Sequence, residues 1–270
     1  LHTDDTAAIL FTDIAGFTRI SEQFDAQGLT RFMNRFLTPM TDLILSHDGT
    51  IDKYMGDAIM AFWNAPLDDP EHARNACLTA LAMRDALAAF NASRARHDET
   101  RHRRHRDARF GVGLNTGLCS VGNLGSIRRF DYSAIGDPVN VASRLEGLTK
   151  FYGVDILASE ETQSAAADLA WLEVDCVRVK GRETPTQLFA LIGDADMAAS
   201  DAFAALAARQ RDLLYVYRSR GFAVAAERAE KLAQDHEELA AFYRSFAARA
   251  REAADIPEAE WSPVRTLDSK

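Results

Sequence analysis

The chain has 270 residues, 47% of them hydrophobic and 26% charged, enough apolar material for one large domain or a domain with an appendage. A formal net charge of −9 argues against nucleic acid as a partner and requires any anionic substrate to be met by locally gathered positive charge. Cys77, Cys119 and Cys176 are widely spaced and form no metal-ligand pattern, and no apolar run reaches the length of about 18 residues that crosses a bilayer.

Ala7–Asp13 reads as a buried strand closed by a carboxylate. Phe17–His47 carries apolar residues at helical spacing, and Gly49 stops it. Two short strands, Thr50–Tyr54 and Ala58–Trp63, flank the turn Met55–Gly56–Asp57 and predict a hairpin. Pro70 opens a second helix to about Phe90. Ser93–Arg109, rich in Arg and His, reads as a solvated connection. Strands follow at Phe110–Gly117, Cys119–Asn123 and Phe130–Ile135, then a helix with Pro138 in its first turn, running to about Phe151. Val154–Ala158, Trp171–Lys180 and Thr186–Leu191 are further strands, with a short helix at Glu160–Ala166.

The order β-α-β-β-α-β predicts an α+β fold, a ferredoxin-like antiparallel sheet core with covering helices. It occupies residues 1–193. A C-terminal helical appendage follows over 194–256, and the tail 257–270 lacks a core-forming pattern and is expected to be disordered. No signal peptide is evident, so a cytoplasmic location is expected. The start at Leu1, close to a strand, suggests a piece of a longer protein whose preceding part holds a sensor or a membrane anchor.

Three segments carry candidate chemistry. In Phe11–Thr18 a strand ends in Asp13 and is followed by a small-residue turn and a helix start. The N–H groups of Gly16, Phe17 and Thr18 would face an anion, and Asp13 would hold a divalent cation or merely cap the helix. In Ile51–Phe62, Asp57 sits in the hairpin turn, 44 positions after Asp13. If the two strands are neighbours, the carboxylates lie side by side and repel unless cations neutralise them. Two divalent ions about 3.5–4 Å apart would do so, and hard carboxylate oxygens suit Mg²⁺ or Mn²⁺. In Arg129–Glu146, Asn140 and Arg144 are four apart on one helix face, either a donor pair for a pentavalent phosphate or a turn cap and a surface ion pair.

Together these segments resemble the catalytic domain of class III adenylate and guanylate cyclases, over about Ala7–Leu191. The resemblance implies Asp13 and Asp57 as ligands of two metal ions, assisted by the Ile14 carbonyl. It implies Lys53 and Ser133 as the base-selecting pair, Asn140 and Arg144 as the transition-state pair, and Lys180 as a contact to the terminal phosphates. Many adenylate cyclases carry Asp where this chain has Ser133, but a subgroup has Thr or Ser there, and several of its members respond to bicarbonate. Guanylate cyclases tend to have Glu and Cys at these two positions. Lys53 is a pure donor, suited to N1 of adenine, and Ser133 can accept from the exocyclic amine or donate. The expected function is conversion of ATP to cyclic AMP and pyrophosphate, with two Mg²⁺ or Mn²⁺ ions per site, in a homodimer whose sites lie between subunits. No side chain stands out as general base. The alternatives are a guanylate cyclase and a catalytically silent regulatory or dimerisation module.

Overall fold

The computed structural model describes residues 2–100, 107–126, 128–179 and 184–267. It divides into two compact units, Leu1–Gly147 and Leu148–Lys270.

The first unit opens with β1 (His2–Ile14), a single-turn α1 (Phe17–Ser21) and α2 (Ala26–Ser46). One helix was expected across this stretch. It breaks because Asp25 accepts a hydrogen bond from the Gly28 N–H at 2.6 Å and so caps a new helix. The hairpin β2 (Thr50–Met55) and β3 (Ala58–Trp63) follows, then α3 (His72–Thr100), β4 (Phe110–Ser126), β5 (Arg129–Ile135) and α4 (Asp137–Tyr152).

Helix α3 continues well beyond the expected end near Phe90. The Arg94 guanidinium lies over the rings of Phe32 and Phe90, so polar sequence here still covers apolar surface. Asn91 then closes the loop: it accepts from the Ala108 N–H at 2.8 Å and donates to the Ala108 carbonyl at 2.7 Å. Of the Arg/His stretch, residues 101–106, with His102 and His105, lie outside the described residues. The two strands expected between Phe110 and Asn123 are one long strand.

β1 pairs antiparallel with both β3 and β4, and β2 pairs antiparallel with β3, which gives the ferredoxin-like order β2-β3-β1-β4. β5 pairs with β4, off the main path of the sheet, yet Ala134 and Tyr132 pack in one cluster with Ile9, Met60 and Phe62. The β4–β5 ribbon therefore curls over the sheet face formed by Ala7, Ile9 and Phe11. Ala142 of α4 joins the same cluster, with Val139 packed against it. Ala8, Leu10 and Thr12 alternate to the other face, toward α3, which packs on β1 and β3.

Close approach of α4 to β4 requires glycine. A Cβ on Gly113 would stand 2.1 Å from the Ala142 carbonyl oxygen and 2.3 Å from the Glu146 nitrogen. A Cβ on Gly117 would meet the Pro138 ring at 2.7 Å. Between them, buried Asn115 donates to the Pro138 carbonyl at 3.0 Å and fixes the start of the helix.

The second unit comprises β6 (Ile156–Ser159), α5 (Glu160–Ala165), β7 (Ala170–Val179) and β8 (Thr186–Gly193), with β6 and β7 both antiparallel to β8. The helices α6 (Ala195–Ala198), α7 (Asp201–Arg218), α8 (Phe222–Asp235) and α9 (Ala240–Ala254) follow. Arg249 of α9 ties to this sheet: its Nη1 donates to buried Asp175 of β7 at 2.9 Å, as does Oη of Tyr152, from the last turn of α4, which belongs to this unit.

The tail requires a correction. The expectation of disorder fails for its described part, because Trp261 packs its ring against Tyr217 and Phe222, and β9 (Arg265–Leu267) pairs parallel with β7. The sequence signal for this docking is one aromatic residue.

Gly113→Ala should destabilise the protein by about 1–3 kcal/mol, since nothing in the backbone against it can yield freely. Gly147→Ala, a helical position with open space around it, should instead stabilise it by about 0.5–1 kcal/mol. Urea unfolding midpoints of the two variants check both signs.

Candidate active site

Asp13 continues the stripe Ala7, Ile9, Phe11 on the face covered by α4 and β5. Antiparallel pairing of β1 with β3 ends at Thr12↔Ile59, so the β2–β3 turn lies beside the end of β1. Gly56 makes that turn with a φ of 68°, a left-handed conformation that glycine adopts without strain. Asp57 next to it accepts a hydrogen bond from the Ile14 N–H at 3.2 Å and adjoins the Asp13 carboxyl group. Burial, then a hydrogen bond and repulsion from Asp13, push Asp57 up to about 7.

A third carboxylate bears on the pair. Glu146, half-buried on α4, is pushed up to about 7 by burial, then by the charges of Asp13 and Asp57. Sequence reasoning assigned it no role. Only the glycine-permitted descent of α4 onto β4 brings it near.

Two adjoining carboxyl groups at a strand end and a turn make a hard oxygen donor set that fits a divalent cation such as Mg²⁺ or Mn²⁺. Among the described residues, no group of three or more His, Cys, Asp or Glu side chains converges to hold a metal. Gly16, with a φ of 72°, turns the chain into α1, which has only five residues, and leaves Thr18 exposed and Phe17 half-buried.

The base-selecting candidates form a second group. Ser133 of β5 is buried and donates its hydroxyl proton to Asp52 Oδ2 at 2.5 Å. Lys53 Nζ lies 3.1 Å from Asp52 Oδ1, with the Lys53 side chain 45% exposed and the Asp52 side chain wholly buried. The structure thus joins Lys53 to Ser133 through Asp52, a residue that sequence reasoning passed over.

Asn140 and Arg144 lie together on the exposed side of α4, while Val141, Ala142 and Leu145 are buried. Lys180 lies outside the described residues.

The sequence profile of the adenylate and guanylate cyclase catalytic domain matches residues 2–200. The chain belongs to this family. It is 37% identical over 185 residues to adenylate cyclase 1 of Rhizobium meliloti (strain 1021), a match covering 68% of this chain and 27% of that protein. It is also 37% identical over 185 residues to an adenylate cyclase of Anabaena cylindrica, covering 67% of this chain and 36% of that protein. The chain thus spans about a quarter to a third of the length of these curated relatives. Among solved structures, the adenylyl cyclase CyaB from P. aeruginosa matches with a TM-score of 0.63 and 32% identity, over 72% of this chain and 97% of that one. The guanylyl cyclase Cya2 matches with a TM-score of 0.58 and 29% identity, over 71% and 94%. Membership of the cyclase family therefore leaves the purine open.

The carboxylate pair has a consequence for the metal-free cyclase domain. A folded-state value near 7, against an ordinary 3.8, means that Asp57 takes up a proton on folding between these values. Stability should then be greatest at acid pH in this window and fall as pH rises toward 7. Asp57→Asn removes this charge and should flatten the fall, raising the melting temperature more at pH 8 than at pH 5. Thermal denaturation in EDTA at both pH values checks the difference.

Proposed function

We propose that this domain is an adenylate cyclase that converts ATP to 3′,5′-cyclic AMP and pyrophosphate. The observation that carries the reading is the Lys53–Asp52–Ser133 group, which presents donors for N1 and a hydroxyl for the 6-position of adenine. The adenylate cyclases of R. meliloti and A. cylindrica support the same purine.

Asp13 and Asp57, with the Ile14 carbonyl, would hold two Mg²⁺ or Mn²⁺ ions. When bound, these ions supply acidity to the ribose 3′-hydroxyl and neutralise charge on the triphosphate. The 3′-oxygen attacks the α-phosphorus in line, forming one P–O bond as the bond to pyrophosphate breaks. The N–H groups of Gly16, Phe17 and Thr18 face the triphosphate. The family resemblance assigns the terminal phosphates to Lys180, which lies outside the described residues. Arg144 places a guanidinium on the pentavalent phosphorus, and Asn140 donates beside it. Among the described residues no side chain is assigned as general base, so the 3′-proton, made acidic by the metal when bound, leaves to solvent.

The working form is a homodimer. Leu118, Phe130 and Ile135 are exposed along the β4–β5 ribbon, an apolar run that a second copy would cover. Asp13 and Asp57 of one copy would face Lys53, Ser133, Asn140 and Arg144 of the other, giving two equal sites. The Ser133 subgroup also suggests bicarbonate as an activator. A titration at fixed pH and ionic strength that stays flat against chloride would remove that part alone.

The test is a cyclase assay with ATP and GTP, each with Mg²⁺ and Mn²⁺. ATP should be the better substrate by kcat/KM, and Asp57→Ala should lose at least about a hundredfold in kcat while keeping its fold. Near-native turnover by Asp57→Ala would contradict the metal assignment, and a preference for GTP would contradict the purine.

A further inference from the structure

A free serine hydroxyl is a poor judge of purines. It can accept from the 6-amino group of adenine or donate to the 6-carbonyl of guanine. Ser133 in this chain is not free.

Its constraint comes from an irregularity in the sheet. Ile51 pairs with Ala61 and Lys53 pairs with Met60, so Asp52 is an extra residue with no partner in the ladder. Such a bulge re-aims a side chain. Here it turns the Asp52 carboxylate inward, wholly buried, against β5. Three donors surround it: the Ser133 hydroxyl at 2.5 Å and the Ala134 N–H at 3.3 Å, both on Oδ2, and the Lys53 ammonium at 3.1 Å from Oδ1. A carboxylate among three donors has only acceptors to offer.

We propose that Asp52 is a positioning residue for purine selection, which fixes the Ser133 hydroxyl as an acceptor by taking its only proton in a hydrogen bond. The proposal rests on the adenylate cyclase reading. With its proton committed, Ser133 offers the base only lone pairs. These match the 6-amino group of adenine and oppose the 6-carbonyl of guanine. The Lys53 ammonium is held beside the same carboxylate by an ion pair, 3.1 Å from Oδ1, and keeps N–H groups for N1. That atom is an acceptor in adenine and a donor in guanine. One buried carboxylate thereby sets the polarity of the hydroxyl at the 6-position and orients the ammonium, itself always a donor, at N1.

The decisive comparison uses ATP and purine riboside triphosphate, which lacks the 6-amino group but keeps N1 as an acceptor. The contact from Lys53 is common to both, so the ratio of their kcat/KM values reads Ser133 alone. The wild-type protein should favour ATP by about fivefold, the worth of one hydrogen bond. Asp52→Asn, nearly isosteric, lets the amide donate to Ser133 and the hydroxyl rotate. The ratio should fall to within about twofold of unity, and ATP-over-GTP discrimination should fall with it. Ser133→Ala should give the same low ratio, and the double variant no further loss.

A merely structural role for Asp52 would lower turnover of ATP and the analogue together and leave their ratio alone. A folded Asp52→Asn protein, checked by thermal unfolding, that keeps the wild-type ratio overturns the proposal. Should Asp52→Asn not fold, Ser133→Ala decides, because an unchanged ratio there also overturns it. A wild-type protein that prefers GTP to ATP would instead overturn the adenylate reading itself.

Discussion

The site depends on the antiparallel pairing of β1 with β3. Because the ladder ends at Thr12↔Ile59, the turn after β2 delivers Asp57 to the end of the strand that carries Asp13. Two carboxylates in half-buried contact oppose each other, and the fold tolerates this only with a proton or a cation between them. That cost is the physical basis of the proposed metal site. The rest of the first unit serves it. Glycines in β4 let α4 descend onto the same face, and the helix carries Asn140 and Arg144 outward and Glu146 inward.

The β2–β3 hairpin has two uses, divided by its turn. The turn holds Asp57 beside Asp13, and in the proposed function serves phosphate chemistry, whereas the strand before it holds Asp52 and Lys53, which in the same proposal serve the base. Ser133 reaches the latter group only because the β4–β5 ribbon curls back over the sheet to cover Ile9, Met60 and Phe62. Packing of apolar residues therefore sets the position of the Ser133 hydroxyl, the group proposed to read the base.

Much of this was legible in the sequence. A buried strand closed by Asp13, a hairpin with a Gly-Asp turn and a helix with Asn140 and Arg144 on one face follow from alternation, turn residues and the 3.6-residue period. The βαββαβ order followed from the same patterns. What escaped has identifiable causes. The role of Asp52 requires a bulge, and a bulge leaves no mark in residue alternation. Glu146 acquires its neighbours only from helix–sheet contact at Gly113, a long-range close approach. The extra turns of α3 rest on Arg94 stacking on Phe32 and Phe90, which composition alone reads as solvated polar chain. The tail docks through Trp261, whose aromatic partners lie some 40 residues earlier.

The central claim is that the phosphate group of one chain and the base group of another complete a single site. Mixing two inactive variants tests it most directly. In a heterodimer of Asp57→Ala with Asn140→Ala, shared sites would leave one site carrying both lesions and one carrying neither. Activity should then return on mixing, toward one competent site per heterodimer. A mixture that stays inactive after verified subunit exchange would contradict the shared site and require each chain to complete its own.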